Sequence, residues 1–251
     1  MQNQNQSLVV CVTGASSGIG RELSKQLIQS GYIVVGIARR KNLLEELASE
    51  LNNKKFHFYE ADVSNLEEIK KVKDALLLKK LIPGAIVCGA SISQNDTEPN
   101  FKNDVVRKIM EINFFGTANM VDVFLPEFLK TGHGHFICLS SIASWRPSIQ
   151  GATYPASKAT VGMFFRGLNL RYKPLGVDFS TIYLGPVETE MWGGKPSFVV
   201  ATPNMIAKKI IQLILNPKPI SYIPFLSTTL SRLSTLIPDW LYAKLSSYLF
   251  K

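Results

Sequence analysis

An α/β fold, a doubly wound parallel sheet of about seven strands with helices on both faces, is what this sequence predicts. Three observations carry that expectation. Short apolar, β-branched runs alternate with amphipathic stretches of helical period from Leu8 to Ile223. The runs holding Cys11, Cys88 and Cys138 are apolar almost throughout, as strands covered on both faces must be. The residues with chemical potential collect just after these runs, where ligands lie in such sheets, beyond the strand carboxyl ends.

Leu8 to Thr13 reads as the first strand. Gly14-Ala15-Ser16-Ser17-Gly18-Ile19-Gly20 follows, then an amphipathic pattern that runs to Gln29 and stops at Gly31. Strand, glycine-rich turn and helix is the layout of a phosphate-binding loop. The glycines let the backbone approach a pyrophosphate, whose charge is met by the helix N-terminus. Tyr32 to Ile37 is the second strand, ending in Ala38-Arg39-Arg40. A carboxylate here would bind the ribose 2′-OH of NAD. No Asp or Glu stands between Tyr32 and Lys41, and arginine suits the 2′-phosphate of NADP(H).

Lys41 to Leu51 reads as helix, Phe56 to Glu60 as strand and Asn65 to Leu78 as helix. Asp62 and Val63 lie just past the third strand, where an adenine is met. Asp62 equally suits a cap on the following turn. Ala85 to Cys88 is the fourth strand, and the small Gly89-Ala90 after it leave room for a cofactor. Val105 to Asn113 and Thr117 to Lys130 carry helical periodicity. His135 to Leu139 is the fifth strand, ended by Ser140-Ser141. Ala156 to Tyr172 reads as helix, Val177 to Tyr183 as the sixth strand, Asn204 to Leu215 as helix and Ile220 to Ile223 as the last strand. With no repeat or linker, 1–251 reads as one domain. Residues 1–7 are a flexible polar N-terminus, and 225–251 an amphipathic helical extension.

The 251 residues are 46% hydrophobic and 19% charged, a composition that fits one substantial core. The net charge of +9 suits an acidic ligand or an anionic surface. Lys and Arg form no dense run, which ranks nucleic acid last among partners. The three cysteines have no CxxC spacing and read as buried free thiols of a reducing compartment; the three histidines show no metal-site spacing. Met1 to Ser7, polar and uncharged, does not read as a secretory signal, and no apolar run reaches the ~18 residues of a membrane span. The expectation is a cytoplasmic protein.

Tyr154 and Lys158, in Tyr154-Pro155-Ala156-Ser157-Lys158, share one face if the segment is helical. A phenol is a poor base near its ordinary pKa of ~10, and an adjacent cation lowers that value. The pair is a tunable proton donor and acceptor for an alcohol or carbonyl oxygen. Asn113, a polar residue in an apolar stretch, reads by itself as a structural hydrogen-bonding residue.

Taken in order, these motifs resemble the short-chain dehydrogenase/reductase family, in its short single-domain branch, over about residues 8 to 223. The resemblance rests on Thr13-Gly14-Ala15-Ser16-Ser17-Gly18-Ile19-Gly20, on Tyr154 and Lys158 with Ser141 upstream, and on Asn113 in Glu111-Ile112-Asn113-Phe114-Phe115-Gly116-Thr117. It implies a Rossmann-type sheet and hydride transfer between a nicotinamide and an alcohol or ketone. Tyr154 would be the acid and base, and Ser141 would hold the substrate oxygen. Lys158 would lower the Tyr154 pKa and bind the nicotinamide ribose, with Asn113 holding a water behind it. Val187 and Thr189 match the residues that meet the nicotinamide amide. Two departures stand out. Val87-Cys88-Gly89-Ala90 replaces Asn-Asn-Ala-Gly, so the bracing attributed to those asparagines must come from elsewhere. Leu184-Gly185-Pro186 replaces Pro-Gly.

A second class of function on this fold is a cofactor-binding sensor without catalysis; such proteins lack the tyrosine or the lysine. A third, an epimerase or dehydratase of the longer branch, is opposed by the glycine spacing and the length. Met191, Trp192, Phe198, Val199, Val200 and Trp145 lean towards an apolar carbonyl or alcohol substrate, or else pack a lid. Family members pair through the helices 117–130 and 154–172. Met120, Val121, Phe124, Phe128, Met163, Phe164 and Leu168 therefore suggest a homodimer or homotetramer, the alternative being that they face their own sheet. In the C-terminal tail, Leu226, Leu230, Leu233 and Ile237 share a helical face. Pro238 breaks it, and Asp239 starts a second helix with Leu241, Leu245, Tyr248 and Leu249. That tail either lies on a membrane surface with Trp240, Tyr242 and Phe250, or packs on its own domain, its pocket or a second subunit.

Overall fold

The computed structural model describes residues 8–97, 100–148, 151–191, 200–242 and 244. Seven strands form one parallel sheet: β1 (Val9–Thr13), β2 (Ile33–Ala38), β3 (Phe56–Glu60), β4 (Ala85–Cys88), β5 (Gly134–Ser141), β6 (Val177–Leu184) and β7 (Ile220–Ile223), in the order β3-β2-β1-β4-β5-β6-β7. Parallel neighbours need crossovers, and helices α1 (Gly18–Gln29), α2 (Lys41–Leu51), α3 (Leu66–Leu78), α4 (Asn103–Met110), α5 (Gly116–Thr131), α6 (Thr153–Tyr172) and α7 (Pro203–Leu215) supply them. α8 (Phe225–Leu233) follows β7.

The apolar strands divide their side chains between two cores. Val10, Val12, Val34, Val87, Ile137 and Ile182 pack with Leu23 and Leu27 of α1, Leu44 and Leu47 of α2, and Ile210 of α7. On the other face Cys11, Ile86, Cys138 and Phe179 pack with Leu76 of α3, Phe124 of α5 and Phe165 of α6. This alternation is the period-2 geometry of a strand. All three cysteines are free and buried, and burial pushes the Cys138 thiol up to about 12. The α5 residues Met120, Val121, Phe124 and Phe128 are buried against their own sheet, which corrects their reading as a subunit surface.

Three local features differ from the expectation. α6 starts at Thr153, not Ala156, because Pro155 in the first turn has no N–H to lose and a preset φ. α4 and α5 are joined by a π-helical turn, Glu111–Phe115, so Asn113 sits in a helical stretch that does not stop. Ser141 is followed by a 3-10 turn, Ile142–Trp145. In the tail, α8 gives way to a 3-10 turn, Ser234–Leu236, and helix resumes at Asp239. Leu245, Tyr248, Leu249 and Phe250 lie outside the described residues, as do the side chains of Leu226 and Leu230. Among the described residues no helix is long and apolar enough to cross a membrane.

His135, in β5, is buried, and its Nε2 lies 2.7 Å from Ser180 Oγ. The Ser180 hydroxyl donates its one proton to the Lys218 carbonyl, so His135 Nε2–H must be the donor to Ser180. Nδ1 is then a bare acceptor, buried without a hydrogen-bond partner. Burial pushes the His135 pKa from 6.5 down to about 4, against Asp178, which raises it. The folded chain thus prefers neutral His135. The associated stability is complete above about pH 7 and is lost as pH falls from the unfolded value through about 4. Between about pH 7.5 and 4.5, His135→Asn is expected to lose roughly 2 to 3 kcal/mol less than wild type in chemical denaturation. Equal losses would contradict this account.

Candidate active site

The glycine-rich loop 14–20 joins β1 to α1. The Gly14 and Ala15 amides both donate to the Ile37 carbonyl, at 2.9 and 3.3 Å, which pins the loop across β2. Gly14 has φ +73°, and a Cβ on Gly20 would lie 2.3 Å from the Gly14 carbonyl oxygen, so the loop closes only with glycines there. Ser17 begins α1 without a side-chain cap, and the first turn holds no carboxylate. Its orphan N–H groups and dipole suit an anion.

The two arginines after β2 diverge. Arg40 Nη2 bonds Ser16 Oγ at 3.2 Å and also Ser17 Oγ, so it is the arginine that reaches the loop. Arg39 Nη1 is 3.5 Å from Asp62 Oδ2. Asp62 Oδ1 accepts from the Ser64 amide and hydroxyl at 2.9 and 2.7 Å, the turn-capping arrangement. Burial raises the Asp62 carboxyl, but the Ser64 bonds and Arg39 together hold it below its ordinary value. Val63 is buried against Gly116, where a Cβ would come within 2.5 Å of Val63 Cγ2.

The bracing missing from Val87-Cys88-Gly89-Ala90 is supplied by two other side chains. Thr13 Oγ1 accepts from the Gly89 and Ala90 amides at 3.0 and 3.1 Å and donates to the Val87 carbonyl at 3.4 Å. Asn113 Oδ1 accepts from the Ile92 amide at 2.8 Å, and its Nδ2 donates to the Ile92 carbonyl and to Ser157 Oγ, each at 3.0 Å. Neither partnership is visible as a local sequence pattern.

At the ends of β5 and β6 the remaining groups converge. Tyr154, in the first turn of α6, stands beside Ser141, whose hydroxyl oxygen accepts from the Ala143 amide at 3.1 Å. Burial raises the phenol above 10, and the neighbouring Ser141 hydroxyl opposes that rise. Lys158 is buried and donates from Nζ to the Leu139 carbonyl at 2.9 Å. Burial pushes its pKa down to about 8. Its Nζ lies 5.7 Å from the Tyr154 ring centre. The group that lowers Tyr154 here is therefore Ser141, and Lys158 is turned to a carbonyl instead. Thr189, in the loop after β6, reaches back so that a Cβ on Gly18 would be 3.3 Å from Thr189 Cγ2. The Val187 to Ala201 bridge holds that loop. Glycine loop, Ser141, Tyr154, Lys158, Val187 and Thr189 thus share the carboxyl edge of one sheet.

The family model for short chain dehydrogenases matches residues 8–198. The chain belongs to the short-chain dehydrogenase family. An oxidoreductase of Staphylococcus haemolyticus is 30% identical over 218 residues, covering 83% of this chain and 91% of that protein. The NADPH-dependent 1-acyldihydroxyacetone phosphate reductase of Saccharomyces cerevisiae is 33% identical over 78% of this chain and 66% of its own length. The 11-beta-hydroxysteroid dehydrogenase A of Sesamum indicum is 32% identical over 74% of this chain, a match that spans 54% of the sesame protein. A short chain dehydrogenase of Burkholderia cenocepacia, solved in complex with NADP, superposes with a TM-score of 0.81 at 23% identity, covering 96% of this chain and 98% of that one.

This short-chain dehydrogenase is an oxidoreductase whose fold binds a nicotinamide cofactor. Its carboxyl edge fits one. The uncapped α1 N-terminus, the cradle closed by glycines and the Ser91 hydroxyl, buried beside Ala90 without a protein partner, all offer polar groups to a ligand. Sequence reasoning missed a set of aromatic contacts. Trp145 packs on Tyr183 and Tyr222 with ring centres 5.0 and 5.9 Å apart. Arg146 then holds the tail, bonding the Ser234 and Ile237 carbonyls and Asp239 while its guanidinium lies over Tyr242. That much of the tail packs on its own domain. Met191 and Val200 flank the segment holding Trp192, Lys195, Phe198 and Val199, which lies outside the described residues.

Proposed function

We propose that the protein is an NADP(H)-dependent oxidoreductase that interconverts a carbonyl and an alcohol, with Tyr154 as general acid and base. The observation that carries this reading is the convergence of Ser141, Tyr154 and buried Lys158 at one edge of the sheet, with Lys158 Nζ 5.7 Å from the Tyr154 ring centre. The bound dinucleotide supplies or accepts the hydride. Tyr154 gives its proton to the substrate oxygen in reduction and takes it back in oxidation. The Ser141 hydroxyl donates to that oxygen, a bond that strengthens as negative charge develops. Lys158, its Nζ held at the Leu139 carbonyl 5.7 Å from the Tyr154 ring centre, would meet the nicotinamide ribose. Asn113 braces the far side of the site, its carboxamide engaged by Ile92 and Ser157. Tyr154→Phe and Lys158→Met are each expected to reduce turnover by at least about a hundredfold in a carbonyl screen that reads reduced-nicotinamide absorbance. Near-native turnover in either variant would sink the assignment.

Gly14, Ser16, Ser17, Gly18, Ile19 and Gly20 would hold the pyrophosphate and adjoining ribose. Asp62 and Val63 would border the adenine, and Gly89, Ala90, Val187 and Thr189 the nicotinamide half. Arg40 and Arg39 select the 2′-phosphate. Arg40 has the larger share, because its guanidinium already lies against Ser16 and Ser17. One charge-assisted phosphate contact is worth about 1.5 to 3 kcal/mol. Arg40→Asp is therefore expected to weaken NADPH binding by about 10- to 100-fold and Arg39→Asp by less, with NADH binding little changed, by fluorescence titration. A wild-type preference for NADH would contradict the reading.

The substrate is an apolar carbonyl compound. The Trp145, Tyr183 and Tyr222 surface beside Ser141 supports this, as does a relative named for a hydroxysteroid. Two copies pair through the outer face of α6. Met163 and Leu170 are 65% and 81% exposed there, one face of the helix, whereas Phe164 and Leu168 turn inward. The expected outcome is a dimeric mass by light scattering that Met163→Lys with Leu170→Lys converts to a monomer. A monomeric wild type at micromolar concentration would refute the pairing.

A further inference from the structure

The first turn of α6 carries Tyr154, yet its cap residue, Ala152, has no side chain able to accept a hydrogen bond. The cap comes from 56 positions earlier in the chain. Asp96, in the connection between β4 and α4, is fully buried. Its Oδ1 accepts from the Ala152 amide at 2.9 Å. Its Oδ2 accepts from the Thr153 amide at 2.8 Å and from the Thr153 hydroxyl. Its own carbonyl accepts from the Lys102 amide at 2.9 Å, just ahead of α4. The chain is shaped around this carboxylate. Gly151 has φ +153°, and a Cβ there would lie 3.1 Å from Asp96 Oδ1. Burial raises the Asp96 carboxyl, but the hydrogen bonds outweigh it and hold the group below its ordinary value, so it stays ionised. A carboxylate there also meets the positive end of the α6 dipole.

We propose that Asp96 is a positioning residue for the reaction: it caps α6 across the fold and so sets the turn that carries the Tyr154 phenol. This rests on the reading of Tyr154 as the acid. The turn is tied at two points. Asp96 holds the amides before Tyr154, and the Asn113–Ser157 pair holds its carbonyl, since Ser157 Oγ donates to the Tyr154 carbonyl at 2.8 Å. With the first tie removed, the turn is free to fray about the second, and the phenol loses its fixed direction while the rest of α6 stays packed.

The test uses the full chain labelled with [13Cζ]tyrosine, the Tyr154 signal being assigned by its loss in Tyr154→Phe. Asp96→Ala is expected to move that signal towards the free-tyrosine position. It should also speed amide exchange across 152–158 by about tenfold or more, as loss of a cap implies. Asp96→Asn, which keeps one good acceptor, should fall between Asp96→Ala and wild type. Leu47→Ala, in the core on the opposite face of the sheet, serves as the destabilised control and should leave the Tyr154 signal unmoved. Wild-type signal and exchange in folded Asp96→Ala overturn the proposal, and so does an equal displacement in Leu47→Ala. If Asp96→Ala does not fold, Asp96→Asn decides on the same criteria. These readouts need no turnover. Activity retained in Tyr154→Phe would remove the acid assignment alone, so the two failures are told apart.

Discussion

The carboxamide of Asn113 touches three of the pieces from which the site is made. It closes both backbone groups of Ile92 in the connection after β4, and it reaches Ser157 on α6 from the π-turn between α4 and α5. Asn113 is only 2% exposed, so any unpaired polar atom there would carry the full desolvation cost of about 1 to 3 kcal/mol. That cost makes the three pieces interdependent. The β4 connection cannot shift without unpairing Asn113, and Ser157 cannot turn without releasing the Tyr154 carbonyl it also holds. The extra residue of the π-turn lets one side chain face two neighbours that a regular α-helix would offer less directly. Thr13 performs the same service on the other side of β4, where its hydroxyl spans Val87, Gly89 and Ala90.

Around this frame the electrostatics are set mainly by burial. Lys158 is buried and bonded to one carbonyl, which leaves its ammonium poorly solvated and pushes its pKa to about 8. Tyr154 is displaced the other way, with the neighbouring Ser141 hydroxyl resisting. Each shift disfavours the charged form of its own group. A ligand oxygen that develops negative charge beside Lys158 would supply the counter-charge that the buried ammonium lacks. The loop at 14–20 follows the same logic at the phosphate end, where a helix N-terminus without its own cap stands beside Arg40.

The sequence by itself determined the seven strands, their alternation with helices and the order of the motifs, because each is written in local spacing. Apolar runs of period 2, amphipathic runs of period 3.6 and glycines at a turn act within a few residues. Burial of the three cysteines was legible for the same reason. Tertiary structure decided everything that depends on pairs of residues 24 to 76 positions apart, such as Arg40 with Ser16, Thr13 with Gly89, Asn113 with Ser157 and Asp96 with Thr153. It also decided that Met120 and Phe124 face inward while Met163 and Leu170 face out, since an apolar residue on a helix is marked as apolar but not by which neighbour covers it. Strand order and the direction of each helix across the sheet set those distances. They arise only when the hydrophobic faces are buried together, and no window along the chain contains them.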